Sequence, residues 1–171
     1  KKNPFHFKEL KQGKTVFIER LMKVKGGLVM NIEVNAKLLL DGRLLTFVRD
    51  ISERKKNQQA LAESENRLRT IYNTEPECIK ILGAHGELKE MNPAGLAMME
   101  ADSLDQVKEK SVLAIINEPY RKAFQELTKK VFKGKTGALE FEITGLKGTW
   151  RWLETHAVPM KDTDGKITSL L

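Results

Sequence analysis

The sequence predicts an α+β chain: three antiparallel strands and a connecting helix, then a second unit ordered hairpin, short helices, longer helix and three more strands. Three observations predict it. A segment beginning at Gly13 returns 121 positions later, at Gly134, with like residue types at like spacings. Between the copies lies a stretch with neither glycine nor proline, and within each copy apolar and polar residues alternate with the period of a strand.

The repeat is seen residue by residue. Gly13-Lys14-Thr15 recurs as Gly134-Lys135-Thr136, Glu19 as Glu140, Gly27 as Gly148, Glu33 as Glu154 and Ala36 as Ala157. After a two-residue insertion, Asp41-Gly42-Arg43 parallels Asp164-Gly165-Lys166. Strands are expected over 15–24, 29–40 and 44–48 in the first copy and over 137–144, 150–160 and 167–171 in the second, with glycine turns between them. Met30, Ile32, Val34, Ala36 and Leu38 form an apolar face that must cover a core. Register with that strand turns Leu153, Thr155 and Ala157 inward and leaves Trp150, Trp152, His156, Val158 and Met160 outside. An outer face so apolar is expected to lie beneath the linker helix or a partner subunit.

Asp50-Ile51-Ser52-Glu53 reads as a helix start, with Asp50 accepting from an exposed amide and Glu53 reaching back as in a capping box. A helix over 52–73 follows, on which Leu61, Leu68 and Ile71 fall at coiled-coil spacing while Asn57 and Ser64 interrupt the same seam. Packing on its own domain and pairing across a dimer are equal alternatives for it. Glu75-Pro76-Glu77 ends that helix, and 78–82 with 87–91 forms a hairpin. Asn92-Pro93 then caps a short helix carrying Leu96, Met98 and Met99. A longer helix over 119–132 turns Ala123, Phe124, Leu127, Val131 and Phe132 inward. The boundaries are 1–51 for the first unit, 52–74 for the linker helix and 75–171 for the second unit.

Composition excludes several classes. The hydrophobic fraction of 40% and charged fraction of 31% fit a globular core. No apolar run reaches bilayer length and no signal peptide opens the chain, so no membrane contact is expected from it. The single cysteine, Cys78, suits a reducing compartment, and a cytoplasmic location is expected. The net charge of +7 raises nucleic-acid binding. The lysines are scattered, however, and Arg54-Lys55-Lys56 reads as a solvated helix face, so no nucleic-acid partner is expected.

Catalytic and metal chemistry find little support. Gly13-Lys14-Thr15 and Gly134-Lys135-Thr136 lack the earlier glycine of a phosphate loop and lead into strands rather than helices. His6, His85 and His156 are far apart and have no partners at metal-ligand spacing, so no metal is expected. No nucleophile, base and orienting group come together, and the chain reads as non-enzymatic. What remains is an interior between sheet and helices where Ile79, Ile81, Met91, Leu96, Met99, Ile115, Phe124, Leu127, Leu139, Phe141, Leu153 and Ala157 converge. Thr155 and Tyr120 are its polar candidates. It reads either as a ligand cavity or as a packed core.

Glu90-Met91-Asn92-Pro93-Ala94, Trp150-Arg151-Trp152-Leu153-Glu154 and Phe47-Val48-Arg49-Asp50-Ile51-Ser52-Glu53-Arg54 resemble, in that order, the second-strand exit, the fourth strand and the Asp-Ile-Ser/Thr-Glu-Arg ending of the PAS family of bacterial and archaeal sensors. The resemblance implies a five-stranded antiparallel sheet with short helices on one face, preceded by a linker helix and the C-terminal three strands of another PAS domain. The second domain stops before its own Asp-Ile-Ser ending, so the chain is expected to be cut from a longer one. It further implies a homodimeric sensory module that signals to an output domain of the same polypeptide. A histidine kinase of a two-component system is the first expectation and a diguanylate cyclase the alternative.

The ligand site so implied comprises Met91, Met99, Ile115, Tyr120, Phe124, Leu139, Phe141, Leu153 and Thr155, and the relay comprises Asp50, Glu53, Leu61, Leu68, Ile71 and Trp152. Haem-binding relatives take a histidine from the longer helix, which has none here. Flavin photosensors need a cysteine in an Asn-Cys-Arg type motif on the short helices, whereas Cys78 lies on the first strand. No cofactor is predicted, and an unidentified small ligand is the candidate occupant. A ligand-free dimerisation spacer is the rival reading.

Overall fold

Both copies of the repeat fold into the same hairpin. In the computed structural model, which describes residues 6–171, β1 (Val16–Lys23) pairs antiparallel with β2 (Val29–Leu38) from Val16–Ala36 to Lys23–Val29. Offset by the repeat, β6 (Gly137–Thr144) pairs with β7 (Trp150–Ala157) from Gly137–Ala157 to Thr144–Trp150. The tips match as well: the Val24 and Gly27 amides donate to Leu28 O and Val24 O, and those of Gly145 and Gly148 donate to Thr149 O and Gly145 O. Gly27 and Gly148 have φ of 87° and 96°, a conformation glycine adopts at little steric cost.

The likeness extends further toward the N-terminus than the strands. A short helix, α1 (Phe7–Lys11), precedes β1 and ends with Gly13 and Lys14 donating to Leu10 O and Glu9 O. The long helix α5 (Glu118–Phe132) ends with Gly134 and Lys135 donating to Val131 O and Lys130 O. Leu10 and Val131, the equivalent residues, are both buried. A helical turn thus precedes the strands of the first copy where the end of α5 precedes those of the second.

The chain divides into two compact units, one ending at Arg67 and the other beginning at Leu68. In the first, β3 (Leu44–Asp50) completes a sheet of order β1-β2-β3, and Val16, Ile32, Val34 and Ala36 are buried as the alternation predicts. The division falls inside α2 (Ser52–Thr74), a helix of 23 residues with no buried side chain. Its start is pinned to the first unit. Asp50 Oδ1 accepts from the Ser52 amide at 2.8 Å, and Ser52 Oγ accepts from the Asn31 amide at 3.0 Å. Glu53 does not complete the expected capping box: it is exposed, and Ser52 does the reaching instead. Arg54 and Lys55, expected to be merely solvated, pair with Glu19 at 2.7 Å and 2.5 Å.

In the second unit β4 (Lys80–Leu82) and β5 (Leu88–Met91) form the hairpin. The helices α3 (Pro93–Met99) and α4 (Leu104–Val107), then a 3-10 turn at Val112–Ala114, lead to α5. On α5, Phe124, Leu127, Thr128 and Val131 are buried at helical spacing and Thr128 returns its hydroxyl to Phe124 O, which lets a polar residue sit in the stripe. These residues pack with Leu82, Leu88, Met91, Phe141, Ile143 and Leu170 into one core.

Antiparallel sheets and short helices are thus observed, with hydrogen bonding distributed over two sheets, β5-β4-β9-β8 and β6-β7, where β8 is Pro159–Lys161 and β9 is Ile167–Leu170. The strand expected over 150–160 changes partners at Val158. β6 has no residue beyond Gly137 to pair with, and Val158 instead exchanges both of its backbone bonds with Leu171. β9 meets β4 through the pair Leu82–Leu170 alone, so Cys78–Lys80 and Leu153–His156 face each other across a cleft of ≈ 480 Å³.

As the register predicts, Trp150, Trp152, Val158 and Met160 lie on the outer face. The linker helix does not cover them. They remain exposed, and so do Leu61, Leu68 and Ile71 on α2 itself. Among the described residues no helix is long and apolar enough to cross a membrane.

Candidate functional site

A cavity of ≈ 40 Å³ lies between the sheet and the helices of the second unit. Six of the expected ligand residues line it: Met91, Met99, Ile115, Phe124, Phe141 and Leu153. The Phe124 and Phe141 rings meet edge-to-face at 5.4 Å and close one wall. Gly95 forms another, because a Cβ there would stand 2.5 Å from Met91 Cγ and 2.8 Å from Cys78 Sγ. Cys78, just before β4 and not among the expected ligand residues, is part of the lining, and burial pushes its thiol pKa up.

Three expected residues lie elsewhere. Leu139 packs against the core without lining the cavity. Tyr120 turns around the β6 edge to donate to Glu142 Oε1 at 3.4 Å, and its ring stands edge-on to Trp152 at 5.8 Å. Burial first, and then Glu142, push its phenol upward. Thr155 borders the neighbouring cleft, where its Oγ1 accepts from Lys80 Nζ at 3.1 Å.

Lys80 is the residue the sequence concealed. In Cys78-Ile79-Lys80-Ile81-Leu82 the apolar alternation assigns Ile79 and Ile81 to the interior. The ladder reverses this: Lys80 stands opposite the buried Met91 and Leu82 opposite the buried Leu88, so Lys80 lines the cavity. A shift of one residue exchanges the two faces of a strand, and β4 was too short to reveal which face was which. Desolvation pulls the Lys80 ammonium below its usual range. Its hydrogen bond is to a hydroxyl, and among the described residues it belongs to no ion pair.

Asn92 holds the end of α2 against the start of α3. The sequence marked it as an N-cap, and Oδ1 does accept from the Gly95 amide at 2.9 Å. It also accepts from the Ile79 amide at 3.0 Å, while Nδ2 donates to Glu75 O at 3.3 Å and Glu77 O at 2.8 Å. Fully buried, it joins the segment leaving α2, the first strand and the cavity helix at one point. Nearby, Tyr72 on α2 has a buried hydroxyl with no hydrogen-bond partner among the described residues. Burial, with contributions from Glu90 and Cys78, raises its pKa to about 12.

The relay residues are distributed along the chain. Asp50 holds the start of α2, and its carboxyl pKa is lowered by the Ser52 amide. Glu53, Leu61, Leu68 and Ile71 are exposed along that helix, and Trp152 is on the outer face of β7. Each histidine has a local partner: His6 pairs with Glu9, His156 with Glu154, and His85 in the hairpin turn donates its backbone amide to Glu87 Oε2.

A family profile described as "PAS fold" matches residues 72–171. No curated protein matches the chain in sequence. Among solved structures, the PAS domain of an HTR-like protein from Haloarcula marismortui is 20% identical at a TM-score of 0.58, over 68% of this chain and 94% of that one. A PAS domain from Colwellia psychrerythraea is 12% identical at 0.55, over 61% and 89%. An RNA-binding light-oxygen-voltage receptor is 10% identical at 0.54, over 96% of this chain and 76% of that one. At these identities the likeness is one of fold.

Proposed function

The chain belongs to the PAS family, and on that premise we propose that residues 75–171 form a non-enzymatic sensory module within a homodimeric signalling protein. The observation that carries this reading is the cavity, lined by apolar side chains and by Lys80, which belongs to no ion pair among the described residues, and tied through Asn92 to the end of α2. A change at the cavity alters the helix exit and biases two arrangements of the dimer, as coupling requires. The exposed Leu61, Leu68 and Ile71 give α2 an apolar line for pairing with a second copy, and Trp150 and Trp152 give the sheet another.

On the same reading β7 and β8 act as one bent strand, which makes the second unit a five-stranded sheet. The first unit is then the end of a preceding PAS domain, supported by its identical hairpin register and helix ending. The output domain is first of all a histidine kinase. Replacing Leu68→Glu in the full-length parent should weaken dimerisation and change output. An unchanged dimer with unchanged output rejects the relay.

The cavity's small size favours a second reading, a ligand-free dimerisation spacer. Native mass spectrometry separates the two. An adduct lost on denaturation supports sensing, and a ligand-free dimer supports the spacer.

A further inference from the structure

Lys80 belongs to no ion pair among the described residues. On β4 it stands opposite Met91 and lines the cavity, while its Nζ reaches Thr155 in the neighbouring cleft. Taking an ammonium out of water is costly unless a counter-charge is supplied, and within protein the usual supplier is a carboxylate. Here the nearest polar partner is a neutral hydroxyl at 3.1 Å. The acidic side chains beside the cleft do not serve: Glu154 pairs with His156, and Glu77 shares the cleft without an ion pair to Lys80. Arg151, a second cation on the inward side of β7, gives its Nε to Met98 O. Ammonium and hydroxyl meet in the cleft, and Lys80, Cys78, Met98, Phe141 and Leu153 line both that cleft and the cavity, whose walls are otherwise thioether, aromatic and aliphatic.

We propose that a short-chain monocarboxylate binds where this cavity opens to the cleft, its anionic end held in the cleft by Lys80 Nζ with Thr155 Oγ1 and its apolar end lying in the cavity among Met98, Met99, Phe124 and Phe141. The proposal rests on the sensory reading above and names its ligand class. Charge fixes the anionic end, since a carboxylate accepts from both donors at once. Volume fixes the apolar end. A water needs about 10–15 Å³ of such space, so ≈ 40 Å³ holds a chain of only a few carbons. Longer acids and phosphate esters require the wall at Gly95 and Met98 to open.

The experiment uses the 171-residue chain, with side-chain methyl NMR and calorimetry, and three probes: butyrate, its neutral isostere butyramide, and inorganic phosphate. Butyrate is expected to perturb cavity methyls and to bind at least tenfold more tightly than butyramide or phosphate. Lys80→Met should erase that preference by tenfold or more while remaining folded, because methionine fills the same space without a charge. Thr155→Val, which keeps the ammonium, should weaken butyrate by a few-fold and supplies the second arm.

Equal binding of butyrate and butyramide overturns the carboxylate assignment and leaves the cavity a ligand site. Undiminished butyrate binding in folded Lys80→Met overturns it as well. If no probe perturbs the cavity the proposal fails, and the Leu68→Glu test alone then decides the sensory reading.

Discussion

The two hairpins of this chain have the same register and the same turn, yet only one has its tip fastened. At the tip of β6–β7, Glu100 accepts from the amides of Lys147 at 2.8 Å and Thr149 at 3.2 Å, and from the Thr149 hydroxyl. Lys147 Nζ reaches Asp102 at 2.6 Å. Glu100 can do this because it leaves α3 in the left-handed conformation, φ 62°, which turns its side chain back toward the sheet. At the tip of β1–β2 the equivalent residues Gly26 and Leu28 meet no such carboxylate among the described residues, and backbone bonds close the turn. The repeat itself builds the hairpin, and the segment inserted between the copies holds it.

The largest effect that would sharpen this contrast is expected from Asn92, which lies in the segment between the two copies. Asn92→Ala removes the partner of one buried amide, one part-buried amide and two carbonyls, and should lower the stability of the second unit by about 3–4 kcal/mol in urea unfolding. Hydrogen exchange should show β1 and β2 unaffected. Next come the equivalent helix residues. Leu10→Ala should cost about 3 kcal/mol and Val131→Ala about 2 kcal/mol, each by opening a cavity in its own unit. If Leu10→Ala accelerated exchange in β6–β7 as much as in β1–β2, the independence of the two units would be refuted.

Glu100→Gln should reduce amide protection at Lys147 and Thr149 to the level of Gly26 and Leu28. Acid should do the same in the native chain. Thr149 holds the folded-state pKa of Glu100 below its ordinary 4.5, so the contribution is complete above 4.5 and disappears as pH falls through that lower value. Exchange at Thr149 measured across that window checks it, and a flat profile would mean the clamp contributes nothing. The smallest effect belongs to Tyr72→Phe. It deletes a buried hydroxyl with no partner among the described residues, and stability should stay the same or rise by up to about 1 kcal/mol. A loss of more than that would reveal a partner for the phenol.

Most of the framework was legible because it rests on periodicities of two and 3.6. The offset from Gly13 to Gly134 gave both hairpins, and the inward assignment of Leu153, Thr155 and Ala157 agreed with the ladder. Helix α2 followed from a run without breakers. Elements of three or four residues were not legible in this way: β4 holds too few residues for its alternation to be read, and its charged member faces in. Tyr120 was misassigned for a different reason. Its position on α5 is correct, but its long side chain reaches around a sheet edge to Glu142.

Local pattern alone therefore determined the α+β class, the duplicated hairpin, the α2 start at Asp50 and the Asn92 cap, because each depends on residues a few positions apart. Tertiary structure decided that Lys80 lines the cavity, that Asn92 binds three segments, and that Glu100 clamps one hairpin tip while the other meets no such carboxylate among the described residues. Those outcomes depend on distances between residues as many as 75 positions apart, as in the Lys80–Thr155 bond. Such distances are set by how the helices close on the sheet, and nothing in the neighbouring residues records them.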